Sequence, residues 1–516
     1  MTALHGANLI AGEESASGAQ SFHAISPTNG EPLEPRYAEA TEEEIDRAAE
    51  TAESCVETLA EQPPARIGEL LEAIASQIEA LGDELIERSA AETALGVDRL
   101  KGERGRTTNQ LRMFAELVRD GSWKGARMDV ALPDRKPLPR PDLRRTLIPI
   151  GPVAVWAASN FPLAFSVAGG DTASALAAGC PVIVKAHPGH PGTSELTARA
   201  VMKAVAAVGF PAGTFSMVHG TSPAVSLKLV TQAKIAAGAF TGSLRAGRAL
   251  FDAAARRPVP IPFFAEMGSV NPVFILNEAL AIRGDAIAGG LFQSVTLGVG
   301  QFCTCPGLVL AVGGDGFDQF VDVLREKFRA SSAGAMLTAA MGRSYRQGTE
   351  HIASLDGIRS TAQRGQTETS TLVGVPTLFE VSDDTFLEHE ELRLEMFGPS
   401  TVLVRCASKD RMMKIAGHLE GSLTATIHAT AGDLEKSRPL LSLLARKAGR
   451  LVFNGFPTGV EVCASMQHGG PYPSTTDPRF TSVGAAAIQR FARPVCFQDC
   501  PAQFLPPELQ SLSKRS

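Results

Sequence analysis

The sequence lacks a long basic run, and its formal net charge at pH 7 is −6. Nucleic acids and anionic membranes attract positively charged surfaces, so neither is an expected partner. The eight cysteines follow no zinc-finger spacing, and in a chain of 516 residues they do not suggest a disulfide framework. No helical HExxH pattern is present either. We therefore expect neither a metal cofactor nor a disulfide scaffold.

Long uninterrupted apolar segments are also missing. The most apolar region, from Val153 to Val184, is interrupted by Asn160, Pro162, Asp171 and Pro181, which excludes a simple membrane-spanning helix. The first residues contain no basic segment followed by an apolar block, so no export signal is expected. These features predict a cytoplasmic protein with no membrane partner.

The middle of the chain has the pattern of an α/β protein. From residue 144 onward, short apolar strands such as PVAVWA, CPVIVKA, FSMVHG and IAAGAFTG alternate with amphipathic helices, the first of which is predicted over residues 161–179. This alternation predicts parallel βαβ units, and ligands bind at the carboxyl ends of such strands. Residues 41–120 are instead predicted to be helical, with Thr41 as an N-cap before an acidic first turn. A second α/β section is predicted for residues 258–453.

Three residues in predicted turns or strand ends carry candidate chemistry. Asn160 lies in SNFPL, Glu266 in PFFAEMGS and Cys303 in GQFCTCP. A thiolate can attack an aldehyde carbonyl, an amide N–H can stabilise the oxyanion, and a carboxylate can activate the thiol or a water molecule. Each residue also has a structural interpretation: a buried small hydrophobe for Cys303, a helix-capping or ion-paired carboxylate for Glu266, and a turn-stabilising amide for Asn160.

Taken together, the motifs SNFPL, EMGS and GQFC, with VIVK, FTGS and EMFGP, resemble the aldehyde dehydrogenase superfamily from about residue 20 to about residue 500. The resemblance implies an α/β fold with a Rossmann-like cofactor domain at residues 1–128 and 148–257. It also implies an α/β catalytic domain at residues 258–460 and a small β oligomerisation segment at 129–147 and 475–503. The expected partners are a small aldehyde substrate and further copies of the chain, in a homodimer or homotetramer.

The resemblance assigns roles to individual residues. It implies that Cys303 is the nucleophile, Glu266 the base and Asn160 the oxyanion donor. The residues expected to bind the cofactor are Lys185, His187, Pro188, Phe240, Thr241, Gly242, Ser243, Glu395 and Phe397. Those expected to meet the substrate are Phe161, Arg106, Gln110 and Phe456.

The expected cofactor is NADP or NAD, with NADP preferred. In NAD-preferring relatives an acidic residue commonly follows the cofactor lysine by three positions, where it accepts a hydrogen bond from the ribose and repels a 2′-phosphate. Here that position is Pro188, and no carboxylate occurs before Glu195.

The segments NGFPTGVEV and HGGPYP resemble α-ketoglutarate semialdehyde (2,5-dioxopentanoate) dehydrogenases and related fatty-aldehyde enzymes. The implied reaction is oxidation of 2,5-dioxopentanoate to 2-oxoglutarate, with a medium- or long-chain fatty aldehyde as the alternative substrate. A cofactor-independent thiol esterase or acyltransferase is the alternative from another class. Arg106 is the candidate for the substrate carboxylate because Gln110 and Phe114 share its helix face, although Arg106 and Arg112 are also interpreted as surface cations.

Cys305 departs from the expected form of this subgroup. One hypothesis is that it forms a strained, easily reduced disulfide with Cys303, or resolves a sulfenic acid there. The other is that Cys305 points into the core and never meets its neighbour.

Overall fold

The computed structural model describes residues 4–363 and 372–512. The strands are β1 Asn8–Ile10, β2 Glu13–Ser15, β3 Ser21–Ile25, β4 Pro32–Ala38, β5 Arg127–Asp129, β6 Leu143–Pro149, β7 Val153–Trp156, β8 Val182–Lys185, β9 Phe215–Val218, β10 Ala237–Thr241, β11 Phe263–Glu266, β12 Val273–Ile275, β13 Leu308–Val312, β14 Gly334–Ala335, β15 Arg359–Ala362, β16 Val373–Gly374, β17 Thr377–Ser382, β18 Ser400–Cys406, β19 Ser422–His428, β20 Ala448–Phe453 and β21 Ala492–Gln498.

The α-helices are α1 Glu42–Ser54, α2 Val56–Ala60, α3 Pro64–Ala80, α4 Gly82–Thr93, α5 Val97–Asp120, α6 Gly170–Ala177, α7 Pro191–Val208, α8 Pro223–Thr231, α9 Leu244–Ala255, α10 Asn277–Thr296, α11 Phe317–Ala330, α12 Ala339–Ala353, α13 Asp383–Glu388, α14 Lys409–His418, α15 Ala431–Glu435, α16 Arg438–Leu444 and α17 Pro507–Leu512. None of the helices within the described ranges is both long and apolar enough to cross a membrane.

The first seven-stranded sheet has the order β11-β10-β7-β8-β9-β1-β2. Its first five strands run parallel, and β1 and β2 extend it antiparallel. Strands β7, β8 and β9 are buried along their whole length, because helices cover both faces of a parallel sheet. The predicted parallel βαβ arrangement is confirmed. The strand that ends at Glu266 pairs with β10, so this sheet continues past residue 257.

The second seven-stranded sheet has the order β15-β17-β18-β13-β12-β19-β20. Its last six strands are parallel, and only β15 is antiparallel. Strands β13 and β19 are completely buried, as expected for central strands covered on both faces. Two seven-stranded sheets with helical coverings make this a mixed α/β fold, as the sequence predicts.

A third sheet is antiparallel, with the order β21-β6-β5. Strand β6 pairs with β21 over residues 143–149 and 492–498, so a distant part of the chain completes this sheet. Between β5 and β6 the chain makes an excursion that is closed by a bridge between Leu132 and Arg140. Strands β6 and β21 lie mostly within residues 129–147 and 475–503, the two stretches that the resemblance assigns to a β oligomerisation segment.

The helical elements agree with the sequence except in one place. Helix α1 begins as predicted, because Thr41 and Glu44 cap it reciprocally. A helix was expected from residue 161, but α6 begins only at Gly170. The N–H groups of Gly169 and Gly170 donate to the carbonyl oxygens of Ser166 and Ala164, which is not the i→i−4 pattern of an α-helix. The buried Glu103 carboxylate of α5 anchors this segment by accepting hydrogen bonds from the N–H groups of Leu163 and Ala164.

Candidate active site

A cavity of about 970 Å³ runs along the carboxyl ends of the first sheet and reaches the second. All nine residues predicted to bind the cofactor line it, and so do Asn160, Glu266 and Cys303. Lys185 closes β8 and Glu266 closes β11, so their positions follow directly from the parallel sheet. The cavity is at the upper end of the roughly 300–1,000 Å³ range of ligand sites.

The loop that carries Cys303 has an unusual backbone. Gly298, Val299 and Gly300 are all left-handed, with φ of 56°, 57° and 65°. A side chain at Gly300 would lie 2.3 Å from the backbone of Gly398, so only glycine fits there. The Asn271 side-chain amide donates to the carbonyl oxygens of Cys303 and Cys305 at 2.8 and 3.0 Å. These constraints hold the thiol at the cavity wall.

The surroundings of the Cys303 thiol favour its protonated form. Burial raises its pKa well above the ordinary value, and the carboxylates of Glu266 and Glu395 raise it further, while Arg106 lowers it. A nucleophilic thiolate therefore requires a group that accepts the thiol proton. This requirement directs attention to the neighbours of the sulfur.

His468 is one of these neighbours. Its Nε2 atom lies 3.4 Å from Cys303 Sγ and 3.1 Å from Glu266 Oε1, and its side chain is almost fully buried. We name Cys303, Glu266 and His468 the Cys–Glu–His cluster. Ser482 Oγ donates to Glu266 Oε2 at 2.6 Å. Burial by itself would raise the pKa of Glu266, but His468, Ser482 and Cys303 together hold that pKa below its usual value.

Asn160 is fixed beside the thiol. Its Nδ2 donates to the carbonyl oxygen of Gln301 at 3.0 Å, and its own carbonyl accepts from Arg99 at 2.8 Å. An amide nitrogen carries two N–H groups, so one remains for a ligand. This geometry suits an oxyanion donor.

The far end of the cavity is lined by basic and hydroxyl side chains. Burial lowers the pKa of Lys185 to about 8, partly offset by Glu39. His187 accepts a hydrogen bond from the Gly189 N–H at Nδ1, so its other nitrogen is a donor. Helix α9 begins at this wall, with Ser243 as its N-cap.

At the opposite end, Glu395 and Phe397 line the cavity near Cys303. Glu395 is accessible from the cavity, but desolvation of its carboxyl by the surrounding protein raises its pKa to about 8. Its carboxylate lies over Gly268, where a side chain would come within 2.5 Å of it. Glu395 therefore has room for its carboxylate because residue 268 is a glycine.

Arg106 is not the surface cation that one interpretation proposed. Its guanidinium lies over the rings of Phe161 and Phe165, at 5.8 and 5.4 Å from their centroids. Its buried Nε and Nη2 atoms have no hydrogen-bond partner among the described residues. Burial lowers its pKa, and the nearby carboxylate of Glu103 opposes that effect. Arg112, by contrast, is a surface cation paired with Glu79 at 2.7 Å.

The other residues that were predicted to meet the substrate lie in different environments. Phe161 stands edge-on to Phe302, the residue before Cys303. Gln110 is buried against the start of α6, where a side chain at Gly170 would lie 2.7 Å from its Nε2. Phe456 packs on His428 and on Gly290 of α10. Phe114, expected on a funnel-lining face, is fully buried in the core of the first sheet.

Several site residues were missed in the sequence. His468 and Ser482 were not considered, nor were Arg99, which lies 4.8 Å over Phe302, and Arg450, whose charge acts on Cys303. His468 stands in the segment HGGPYP, which indicates the subgroup but does not show that this histidine lies beside Cys303. Arg99 and Arg450 lie on α5 and β20 without any local motif.

Cys305 points into the core, which agrees with the second hypothesis and not with the disulfide hypothesis. Its thiol is buried, lies 3.7 Å from the carbonyl oxygen of Val295 and borders a separate small cavity. Burial raises its pKa to about 12, so it is a poor thiolate. Cys303 instead lines the large cavity and faces His468.

A loop-mounted thiol, with a buried carboxylate and an amide donor at the inner end of a nucleotide-sized cavity, defines an enzyme of the thiol-nucleophile class built on a Rossmann-like sheet. The sequence profile of the Aldehyde dehydrogenase family matches residues 14–494. The chain belongs to this family and is an oxidoreductase that acts on the aldehyde group.

Two relatives are similar over almost the whole chain. Alpha-ketoglutaric semialdehyde dehydrogenase 2 of Azospirillum brasilense is 51% identical over 508 residues, covering 98% of this chain and 97% of the relative. Alpha-ketoglutaric semialdehyde dehydrogenase of Acinetobacter baylyi is 46% identical over 511 residues, covering 99% and 97%.

Solved structures share the fold at low identity. Aldehyde dehydrogenase from Bacillus cereus, solved as an NAD+ complex, has a TM-score of 0.81 at 22% identity and covers 96% of each chain. Lactaldehyde dehydrogenase from Escherichia coli has a TM-score of 0.81 at 21% identity, covering 95% of this chain and 98% of the other. The expected aldehyde dehydrogenase fold is confirmed.

Proposed function

We propose that this enzyme oxidises 2,5-dioxopentanoate to 2-oxoglutarate with a nicotinamide cofactor. The observation that carries the proposal is the 51% identity, over almost the full length of both chains, to an alpha-ketoglutaric semialdehyde dehydrogenase. The site supports it with a thiol nucleophile and a partly buried arginine, Arg106, that has unused donors. The direct test is kcat/KM for aldehydes of similar length with and without a distal carboxylate.

The cavity fits a dinucleotide. The first turn of α9 lines it with Ser243, Arg245 and Ala246, and free N–H groups at a helix N-terminus suit a phosphate. Lys185 would meet the adenosine ribose, and Glu395 and Phe397 would hold the nicotinamide end. When bound there, the cofactor supplies the hydride acceptor beside Cys303.

The first covalent step uses Cys303 and His468. The Cys303 sulfur adds to the aldehyde carbon, and its proton passes to the neighbouring Nε2 atom of His468. The carbonyl oxygen becomes an oxyanion that accepts from the free Asn160 N–H and from the Cys303 backbone N–H. Loss of a hydride then leaves a thioester on Cys303.

The second covalent step is hydrolysis. The low pKa of Glu266 keeps it ionised, so it can accept a proton from a water molecule that attacks the thioester carbon. The carbon–sulfur bond breaks, the carboxylic acid leaves, and the Cys303 sulfur recovers a proton. Ser482 holds Oε2 of Glu266, and Oε1 lies 3.1 Å from His468 Nε2.

The cations around the thiol favour an acid-terminated substrate over a fatty aldehyde. Arg106 and Arg450 both act electrostatically on Cys303, and Arg450 also donates to the carbonyl oxygens of Pro457 and Gly459. The Arg106 guanidinium lies against the rings of Phe161 and Phe165, and Glu103, the carboxyl that acts on it most strongly, has its own pKa raised by burial. An arginine with unused donors beside an apolar wall suits a carboxylate, whereas a long alkyl chain would leave those donors unsatisfied.

Replacing Arg106 should therefore discriminate between substrates. Arg106→Met is expected to lower kcat/KM for 2,5-dioxopentanoate by about 30-fold, corresponding to a charge-assisted contact of about 2 kcal/mol. The effect on hexanal should be small, because hexanal has no carboxylate to pair.

The matched control is Arg112→Met, which removes a surface arginine from the same helix. It should leave both substrates almost unaffected, since Arg112 is hydrogen-bonded to Glu79 of α3, at the exposed surface. Equal losses for both substrates in Arg106→Met would mean that Arg106 stabilises the aromatic wall and does not bind the carboxylate.

We also propose that NADP is preferred over NAD. The cavity wall around Lys185 comprises His187, Pro188, Thr221, Ser222 and Arg245, without a carboxylate among the described lining residues at this end. Glu39, the carboxylate that acts on Lys185, already accepts from Thr221 and Ser222. Glu195 accepts from the N–H groups of residues 5 and 6 instead. A 2′-phosphate would therefore meet cations and hydroxyls.

A single substitution should reverse this preference. Pro188→Glu is expected to lower kcat/KM for NADP by at least about tenfold, because a carboxylate beside the 2′-phosphate is repulsive. NAD should be used as well as before or better. Pro188→Gln is the control, with the same size and no charge. A wild-type kcat/KM for NAD at least tenfold above that for NADP would refute the preference.

We further infer a homodimer or homotetramer in the cytoplasm, with the domains that the sequence indicates except that the sheet of the cofactor domain extends to Glu266. The antiparallel β21-β6-β5 sheet and its excursion at 130–140 support an oligomerisation role, because Val130, Leu132 and Leu138 expose apolar surface there. All eight cysteines are free, which suits a reducing compartment.

A further inference from the structure

The Cys–Glu–His cluster brings together three types of metal ligand. Cys303 Sγ, His468 Nε2 and one oxygen of Glu266 all lie within 4.8 Å of one another, and no other such group of three occurs among the described residues. The Sγ–Nε2 distance is 3.4 Å and the Nε2–Oε1 distance is 3.1 Å. A thiolate, an imidazole and a carboxylate are the ligands found in zinc sites.

These separations are close to those between zinc ligands. Zinc bonds of about 2.3 Å to sulfur and about 2.0–2.2 Å to nitrogen and oxygen, in tetrahedral geometry, put neighbouring ligand atoms about 3.4–3.6 Å apart. The Sγ–Nε2 and Nε2–Oε1 distances differ from these by a few tenths of an ångström, and the thiol and the carboxylate lie within 4.8 Å of each other. The cluster can thus close on an ion by side-chain movements.

The surroundings leave the ligand atoms available. Ser482 satisfies Glu266 Oε2, whereas the buried Oε1 accepts no aligned hydrogen bond from the described residues. The His468 backbone N–H donates to Thr481 Oγ1 at 2.9 Å, and its ring packs on Phe165, which holds Nε2 towards the sulfur. Cys303 and Glu266 line the large cavity, so a fourth coordination position opens to water.

We propose that Cys303, Glu266 and His468 form a reversible, inhibitory Zn²⁺ site in this enzyme. Binding replaces the thiol proton with the ion and releases that proton to solvent, so the affinity rises with pH. The bound ion occupies the nucleophile and the base at once. Aldehyde oxidation stops while the metal is present, and the coordinated sulfur is protected from alkylation.

The test uses Co²⁺ as a spectroscopic probe and Zn²⁺ as the competing ion, with the full-length reduced enzyme and no aldehyde or cofactor. Co²⁺ should produce a thiolate-to-metal charge-transfer band that Zn²⁺ abolishes at one equivalent per chain. His468→Gln and Glu266→Gln should each weaken binding at least about tenfold, since even residues behind the ligands commonly contribute that much. Cys303→Ser should lose the band.

Other thiols are controlled by Cys305→Ser, which lies outside the cluster, and by Cys496→Ser, the exposed cysteine of β21. Both should bind Co²⁺ and Zn²⁺ like the wild type. Circular dichroism of each ligand variant separates misfolding from ligand loss. Wild-type affinity in both folded His468→Gln and Glu266→Gln would overturn the proposal, as would a band that persists in Cys303→Ser.

The activity measurement is a second arm. Zn²⁺ should inhibit the wild type, and a chelator should restore its turnover fully; inhibition that a chelator cannot reverse would overturn reversible coordination. Because the binding arm needs no aldehyde, a wrong substrate assignment would leave its result unchanged. The metal site and the proposed reaction can therefore fail independently.

Discussion

Cys303→Ala is expected to abolish aldehyde oxidation, with a loss of at least about 10⁴-fold in kcat, because no other group on the cavity wall can form the thioester. Dinucleotide binding should change little, since Lys185, Ser243 and the first turn of α9 lie at the other end of the cavity. Fluorescence titration with the cofactor checks binding, and steady-state turnover checks the chemistry.

The matched control is Cys305→Ala, which should keep most of the activity because that thiol faces α10 and not the aldehyde. Alkylation adds a second readout. Since the pKa of Cys303 is raised well above 9.0, the rate of its reaction with iodoacetamide in the free enzyme should still increase beyond that pH. Exchanged phenotypes for the two alanine variants would show that the nucleophile is Cys305.

Glu266→Gln is expected to lower steady-state kcat by about 10²–10⁴-fold, the usual contribution of a general base. Hydride transfer precedes hydrolysis, so the variant should still release one rapid equivalent of reduced cofactor per site before turnover slows. Rapid-mixing absorbance measurements resolve this burst. Glu266→Asp keeps the charge with a shorter side chain and should recover part of the loss.

The same substitution should make the thiol more reactive. The Glu266 carboxylate raises the Cys303 pKa, so its removal lowers that pKa and should accelerate alkylation at neutral pH. If Glu266 instead served as the base for the thiol, alkylation would slow and the burst would disappear. The two possible roles of Glu266 therefore predict opposite changes in the rate of Cys303 alkylation.

Local sequence patterns were sufficient for the elements that build the site. The apolar runs that became β7, β8 and β9 predicted a parallel sheet, and Lys185 follows from its place at a strand end. The capping residues Thr41 and Glu44 marked the start of α1. These predictions succeed because strand alternation and helix caps are properties of a few neighbouring residues.

The prediction of a helix from residue 161 was wrong, because this segment is placed by a distant part of the chain. Glu103, which accepts hydrogen bonds from the N–H groups of Leu163 and Ala164, is 60 residues away from the first of them. Arg106 is a similar case, since a helical period identifies its face of α5 but not the Phe161 and Phe165 rings that bury it. Contacts of this kind have no local signature.

The sequence by itself determined the family resemblance, the α/β architecture and the candidates Cys303, Glu266 and Asn160, because each stands in a short recognisable motif. Only the tertiary structure decided that His468 joins them. It lies 165 residues from Cys303, and its ring reaches the sulfur because the HGGPYP segment packs between the ends of the two sheets. A contact of that kind is set by how the sheets assemble, which no periodicity along the chain encodes.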